Sequence, residues 1–130
     1  MDTTASAASR PIPTRCSAMV TGAAGFLGRH LVQRLVDDGW SVIAFCREGD
    51  RVDLMPGEAQ VRMGDLLDRS SLTDALVERP APIVFHLAGN TTTWARHRHE
   101  QWRDNVGGTA MLLDVAAEMG VPRLVYTSSI

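Results

Sequence analysis

Thr21-Gly22-Ala23-Ala24-Gly25-Phe26-Leu27-Gly28 is the stretch from which the rest of the chain is read. A short apolar run, Cys16 to Thr21, precedes it. Leu27, Leu31, Val32, Leu35 and Val36 follow at helical spacing, in a segment running from Phe26 to Asp38. The loop therefore joins a strand to a helix, and each glycine has a separate task in that setting. Gly22 can take the positive φ of a tight turn. Gly25 leaves no Cβ in the way of a pyrophosphate approaching the backbone. Gly28 lets the helix lie close on the strand. The unbonded N–H groups of the first helical turn and the positive end of the helix dipole then favour an anionic group. A glycine-rich turn with no ligand is the plain alternative, and the strand–loop–helix context weighs against it.

Working outward, Gly39 stops the first helix, and Trp40 to Cys46 is apolar and rich in strand formers, hence a second strand. Arg47 to Glu58 is polar, with Gly49, Pro56 and Gly57, and reads as a loop with one helical turn. Gln60 to Met63 is a short third strand. Asp68 can cap a helix running to about Glu78, with Leu72, Ala75 and Leu76 inward; Pro80 and Pro82 end it. Ile83 to Leu87 is an uninterrupted apolar run, as expected of a strand buried on both faces. A long helix covers about Glu100 to Met119 and is expected to turn Val106, Thr109, Ala110, Leu113 and Ala117 inward. Gly120 stops it, and Leu124 to Thr127 forms strand five. This alternation predicts an α/β fold, a Rossmann-type doubly wound parallel sheet of about five strands in the order 3-2-1-4-5. Its ligand crevice lies at the carboxyl ends of strands one and four.

The chain has 130 residues, one domain by size. Residues 1–14, rich in Ala, Ser, Thr and Pro with Arg10 the single basic residue, read as a disordered tail without the apolar core of a signal peptide. Residues 15–130 form the domain. Net charge is -2, which gives no electrostatic case for nucleic acid or an anionic membrane as partner. No apolar run approaches the roughly 18 residues of a membrane span. Cys16 and Cys46 have neither CxxC nor metal-ligand spacing and read as buried thiols of a reducing, cytoplasmic compartment. His97 and His99 do not share a helix face and no acid partners them, so no metal is expected; His86 is expected to pack at a strand end. Arg96, Arg98 and Arg103, with Trp94 and Trp102 nearby, read as a solvated helix face. All 13 basic residues are Arg, and Tyr126 is the only Tyr.

Four further segments follow the glycine loop in order: Gly64-Asp65-Leu66, His86-Leu87-Ala88-Gly89, Asn105-Val106-Gly107-Gly108-Thr109 and Tyr126-Thr127-Ser128-Ser129. With the wide glycine spacing of Gly22, Gly25 and Gly28, they make the chain resemble the extended short-chain dehydrogenase/reductase family over about residues 16–130. The segment from Ala88 to Trp94 is most similar to its dihydroflavonol-reductase-like and sugar-epimerase-like members. The resemblance implies an NAD(P)-dependent reductase or epimerase that moves hydride to or from a carbonyl or alcohol carbon of a small molecule, such as a sugar nucleotide or a flavonoid-like or steroid-like substrate. It implies that Gly22, Ala24, Gly25, Phe26, Leu27 and Gly28 surround the cofactor, that Asp65 and Leu66 meet the adenine, and that Leu87, Ala88, Gly89 and Asn105 line the cofactor further along. The family's active-site serine corresponds to Ser129 or, as the lesser candidate, Ser128.

Strand two ends in Cys46-Arg47 with no acid at its tip. A guanidinium there suits a ribose 2′-phosphate, which favours NADP over NAD; Glu48 and Asp50 keep NAD open. The family's Tyr-x-x-x-Lys pair cannot be present in a chain without Lys, and Tyr126 precedes the serines. These residues are therefore expected to be an incomplete domain, truncated after strand five and inactive alone. A non-catalytic dinucleotide-binding module is the other reading. Strand five would form an exposed edge, which with the helices offers a route to a homo-oligomer.

Overall fold

The computed structural model describes residues 16–78, 80–89, 96 and 98–128. Five parallel strands form one sheet in the order β3-β2-β1-β4-β5, the order the sequence implies. They are β1 (Ser17–Thr21), β2 (Ser41–Cys46), β3 (Gln60–Met63), β4 (Ile83–His86) and β5 (Leu124–Tyr126). Between them lie α1 (Phe26–Asp37), a 3-10 turn (Val52–Leu54), α2 (Arg69–Ala75), α3 (Arg98–Trp102), a wide π-helical turn (Arg103–Gly107) and α4 (Gly108–Glu118). β1 is central: Val20 stands beside Ala44 of β2 and Phe85 of β4.

Alternation along the strands divides the core in two. Ala18, Val20, Val42, Ala44 and Cys46 turn to the face covered by α1, where Val32 and Leu35 meet them. Met19, Ile43, Phe45 and Val84 turn to the other face, under Leu72, Ala75 and Leu76 of the α2 region and Leu112 and Val115 of α4. Apolar side chains on both faces are what a parallel sheet with crossover helices requires.

The punctuation follows local chemistry. Gly22, Gly39, Gly49 and Gly120 all have positive φ, and Gly39 and Gly120 each follow a helix end. The Asp68 side chain accepts from Ser70 N–H at 3.1 Å and caps α2. α2 stops at Ala75 rather than near Glu78, because the Leu76 amide already reaches both Leu72 and Thr73 carbonyls in a tightened last turn. Leu76 remains fully buried.

The long helix departs from its expected orientation. Gly108, Leu112, Val115 and Ala116 face the sheet, whereas Val106, Ala110, Leu113 and Ala117 face outward. Apolar residues occupy most of its circumference, so periodicity alone did not choose the face. The π-helical turn also shifts the phase of everything after it.

Candidate functional site

The carboxyl ends of β1, β2 and β4 open onto a cavity of about 460 Å3. The turn after β1 forms one wall. Gly22 has φ 65°, and its carbonyl accepts from Gly25 N–H at 3.1 Å. A Cβ on Gly22 would stand 2.7 Å from the Ala88 nitrogen, so the turn lies directly against the backbone that leaves β4. Gly28 is buried, and a Cβ there would meet the Gly22 carbonyl oxygen at 2.0 Å. α1 can approach the turn only because that methyl is missing. Gly25 precedes the first helical residue; no side chain caps α1 and no acid sits in its first turn. The amino end of a 12-residue helix thus carries no side-chain cap and faces this cavity through Gly25.

Eight of the candidate residues, Gly22, Gly25, Arg47, Asp65, Leu66, Leu87, Ala88 and Gly89, line this cavity. The others stand apart from it. Gly28 serves packing. Ala24 packs with the α1-side core. Phe26 and Leu27 are exposed, and the Phe26 ring meets His30 in a tilted contact with centroids 4.6 Å apart. Asn105 is half-buried beside the wall: its Oδ1 would lie 3.5 Å from a Cβ on Gly89. Ser129 lies outside the described residues, and Ser128 is exposed.

Phe45, Leu67 and Asp104 also line the cavity and were not singled out in the sequence. Phe45 is one of several apolar residues in β2, and nothing in the run marks it as the one near the strand tip. Leu67 follows the acidic segment directly. Asp104 precedes Asn105 and pairs with Arg103 at 3.5 Å, so adjacency to a recognised segment was the available signal.

The far end of the cavity holds Arg47 and Asp50. The Asp50 carboxylate accepts from the Arg47 amide at 2.7 Å and closes the turn after β2. Burial, and then the negative charge of Asp50, push the Cys46 thiol above its ordinary pKa, so it stays protonated. Arg47 and Asp65 also border a second cavity of about 460 Å3 that includes Gly64 and Asp68. Asp65 is itself fixed: Oδ1 accepts from Leu67 N–H at 2.9 Å, and its amide donates to Ser71 Oγ at 3.1 Å.

Beneath the wall formed by Leu87 and Ala88 runs a buried polar chain. Thr21 Oγ1 is 2.7 Å from His86 Nδ1, and His86 Nε2 is 2.8 Å from Thr109 Oγ1. Tyr126 stacks on the His86 ring, with centroids 5.3 Å apart and planes at 20°. Burial holds the His86 pKa below its ordinary value. Among the described residues, no group of three or more His, Cys, Asp or Glu side chains is placed to hold a metal ion.

A parallel sheet in this order, with a glycine turn and an uncapped helix at its crevice, is the geometry of a dinucleotide fold. The NAD dependent epimerase/dehydratase family matches residues 18–130. The chain belongs to that family. It is 43% identical over 114 residues to sterol demethylase protein B of Methylococcus capsulatus, covering 85% of this chain and 34% of that protein. It is 35% identical over 112 residues to a putative dihydroflavonol 4-reductase of Synechocystis, covering 85% and 32%. Among solved structures, a UDP-glucose 4-epimerase superposes with TM-score 0.81 at 29% identity, over 86% of this chain and 35% of that one. A short-chain dehydrogenase/reductase superfamily protein from Agrobacterium tumefaciens, with bound NAD, gives TM-score 0.72 at 33% identity, over 87% and 32%. The chain spans about a third of the length of these relatives. Among the described residues, no helix is long and apolar enough to cross a membrane.

Proposed function

We propose that this chain binds a nicotinamide dinucleotide, NADP in preference to NAD, and is the cofactor-holding part of a reductase or epimerase. The observation that carries the reading is the uncapped amino end of α1 beside Gly22 and Gly25, in one cavity with Arg47. The cavity fits the cofactor: Gly22 and Gly25 line it without side chains, and no acid opposes a pyrophosphate at the helix start. A bound nicotinamide would give or take hydride at a carbonyl or alcohol carbon of a small-molecule substrate.

The residues divide the work. The turn from Gly22 to Gly28, with Ala24, Phe26 and Leu27 around it, holds the pyrophosphate. Asp65 and Leu66 meet the adenine at the carboxyl end of β3. Leu87, Ala88, Gly89 and Asn105 form the wall along the rest of the dinucleotide, and Ser129 orients a substrate oxygen. Arg47 meets the 2′-phosphate, while Asp50, in the same cavity, offers an acceptor to an unphosphorylated ribose.

Titration of the chain with NADPH and NADH by fluorescence or calorimetry tests this. NADPH should bind more tightly, and Arg47→Ala should weaken NADPH about tenfold, the loss of one exposed charge-assisted contact, while barely moving NADH. Tighter binding of NADH by the unaltered chain would reverse the preference, and binding of neither would remove the reading.

A cofactor-binding module without hydride transfer is the second reading; these 130 residues contain no Lys to assist a tyrosine base. Tyrosine ordinarily titrates near 10, too high for a base at neutral pH without help. Binding without turnover by the 130-residue chain is the expected result. Self-association through the edge strand β5 or the helices completes the proposal.

A further inference from the structure

His86 is 1% exposed and is used by no step above, yet its two ring nitrogens join three separate segments. The Thr21 hydroxyl that meets Nδ1 also accepts from Leu87 N–H at 3.0 Å and Ala88 N–H at 3.1 Å. A hydroxyl oxygen has two lone pairs and one proton. Both lone pairs are taken by the amides, so the proton points at His86 Nδ1. Nδ1 must therefore be bare, and the ring carries its hydrogen on Nε2 and donates it to Thr109. The hydrogen-bond geometry fixes the tautomer.

We propose that His86 is a positioning residue of the cofactor cleft: as the Nε2–H tautomer it keeps the Thr21 hydroxyl in the orientation that clamps the Leu87 and Ala88 amides against the glycine turn. This rests on reading the cleft as a dinucleotide site. The clamp matters because the Ala88 backbone is the nearest neighbour of Gly22, and Gly22, Leu87 and Ala88 all line the cavity. A second proton on the ring would sit on Nδ1, facing an oxygen with no lone pair left. One of the two amides would then have to let go. Among the described residues, the groups shown against the ring are Thr21 from β1, Thr109 from α4 and Tyr126 from β5. Tyr126 is the titratable one. No charged side chain contributes to the depressed proton affinity, whose cause is burial.

Nitrogen NMR of the 130-residue chain labelled at histidine reads the tautomer directly, with His86→Asn assigning the signals. A bare Nδ1 and a protonated Nε2 are expected at about pH 8, with the ring taking up its second proton only below the ordinary histidine value, since burial disfavours the charged form. A hydrogen on Nδ1 would overturn the proposal, as would titration at the ordinary histidine value. In His86→Ala, exchange of the Leu87 and Ala88 amides should speed up, and NADPH binding should weaken, each about tenfold, the scale of one net hydrogen bond. His86→Asn, whose carbonyl can accept the Thr21 proton, should restore part of both. Unchanged exchange in the alanine variant overturns the clamp, and unchanged affinity overturns the positioning role while leaving the dinucleotide reading standing. If the unaltered chain binds neither NADPH nor NADH, the positioning role falls with that reading, and the tautomer and exchange results still decide the clamp. The NMR measurement needs no variant that might fail to fold.

Discussion

A Cβ on Gly28 would stand 2.0 Å from the Gly22 oxygen and 2.8 Å from Ala23 Cα, both backbone atoms of a hydrogen-bonded turn. Nothing flexible yields there. Gly28→Ala should therefore lower stability by about 3 kcal/mol, at the upper end of overpacking costs, read as a lower urea midpoint. Gly57→Ala, whose Cβ would meet nothing within 4 Å, should stay within about 0.5 kcal/mol of the parent. Equal effects at the two sites would remove the close-approach argument. His86 makes a second prediction at this scale. Its folded-state pKa lies below the ordinary 6.5, so the unfolded chain takes up a proton first as pH falls. Stability is then complete above about pH 6.5 and declines below it, by at most about 1.4 kcal/mol per pH unit, until the depressed folded value is passed. Urea titrations of the parent and His86→Asn between pH 7.5 and 5 should converge as pH falls; parallel curves would refute the linkage. The tasks of Gly22 and Gly28 were legible in their spacing because local backbone geometry sets them. The chain from Thr21 through His86 to Thr109 was not, because it closes across 65 and 23 residues and only the tertiary fold brings its members together.

At the scale of elements, the strands were readable to within a residue or two, since each is a short apolar run set off by a glycine, proline or polar loop. Capping was readable as well. The Asp68 carboxylate accepts from the Ser70 hydroxyl and amide, and these bonds, the hydroxyl first, hold its pKa below the ordinary 3.8. Asp68→Ala should destabilise the chain at neutral pH. Because the native carboxylate is the stabilised form, the gap between parent and variant is complete well above pH 3.8 and closes as pH falls through the depressed value. Chemical denaturation at pH 7 and near pH 3 checks this; a gap that persists in acid would mean the carboxylate is not the capping group. The face of the long helix was not readable. Met111, Leu112, Val115 and Met119 supply one apolar stripe, and Val106, Ala110, Leu113 and Ala117 supply another. Burial against Leu72 and Leu76 selects the first, and a pattern of periods carries no information about which stripe meets a partner.

The unselected stripe bears on the whole molecule. Trp102 is 69% exposed, Val106 44% and Leu113 50%, and with Ala110 and Ala117 they recur at helical spacing as an apolar band on the outer side of the α3–α4 region. Apolar side chains exposed together on one side of a helix are a candidate association site. β5, at the end of the strand order, offers a competing route through backbone pairing. The two are separable by charge. Val106→Glu with Leu113→Glu removes the band and leaves the sheet edge untouched. In a two-fold dimer each substitution acts twice, and burying an aliphatic side chain contributes about 1.5–3 kcal/mol, so the pair should weaken association by at least about a hundredfold. Sedimentation velocity should show the parent dimerising at micromolar concentration and the double variant monomeric across the same range, with the cleft still binding NADPH because neither residue lines it. A double variant that still dimerises would remove the band as the interface and transfer it to the β5 edge. A parent that is monomeric throughout would leave the outer band without a role in self-association.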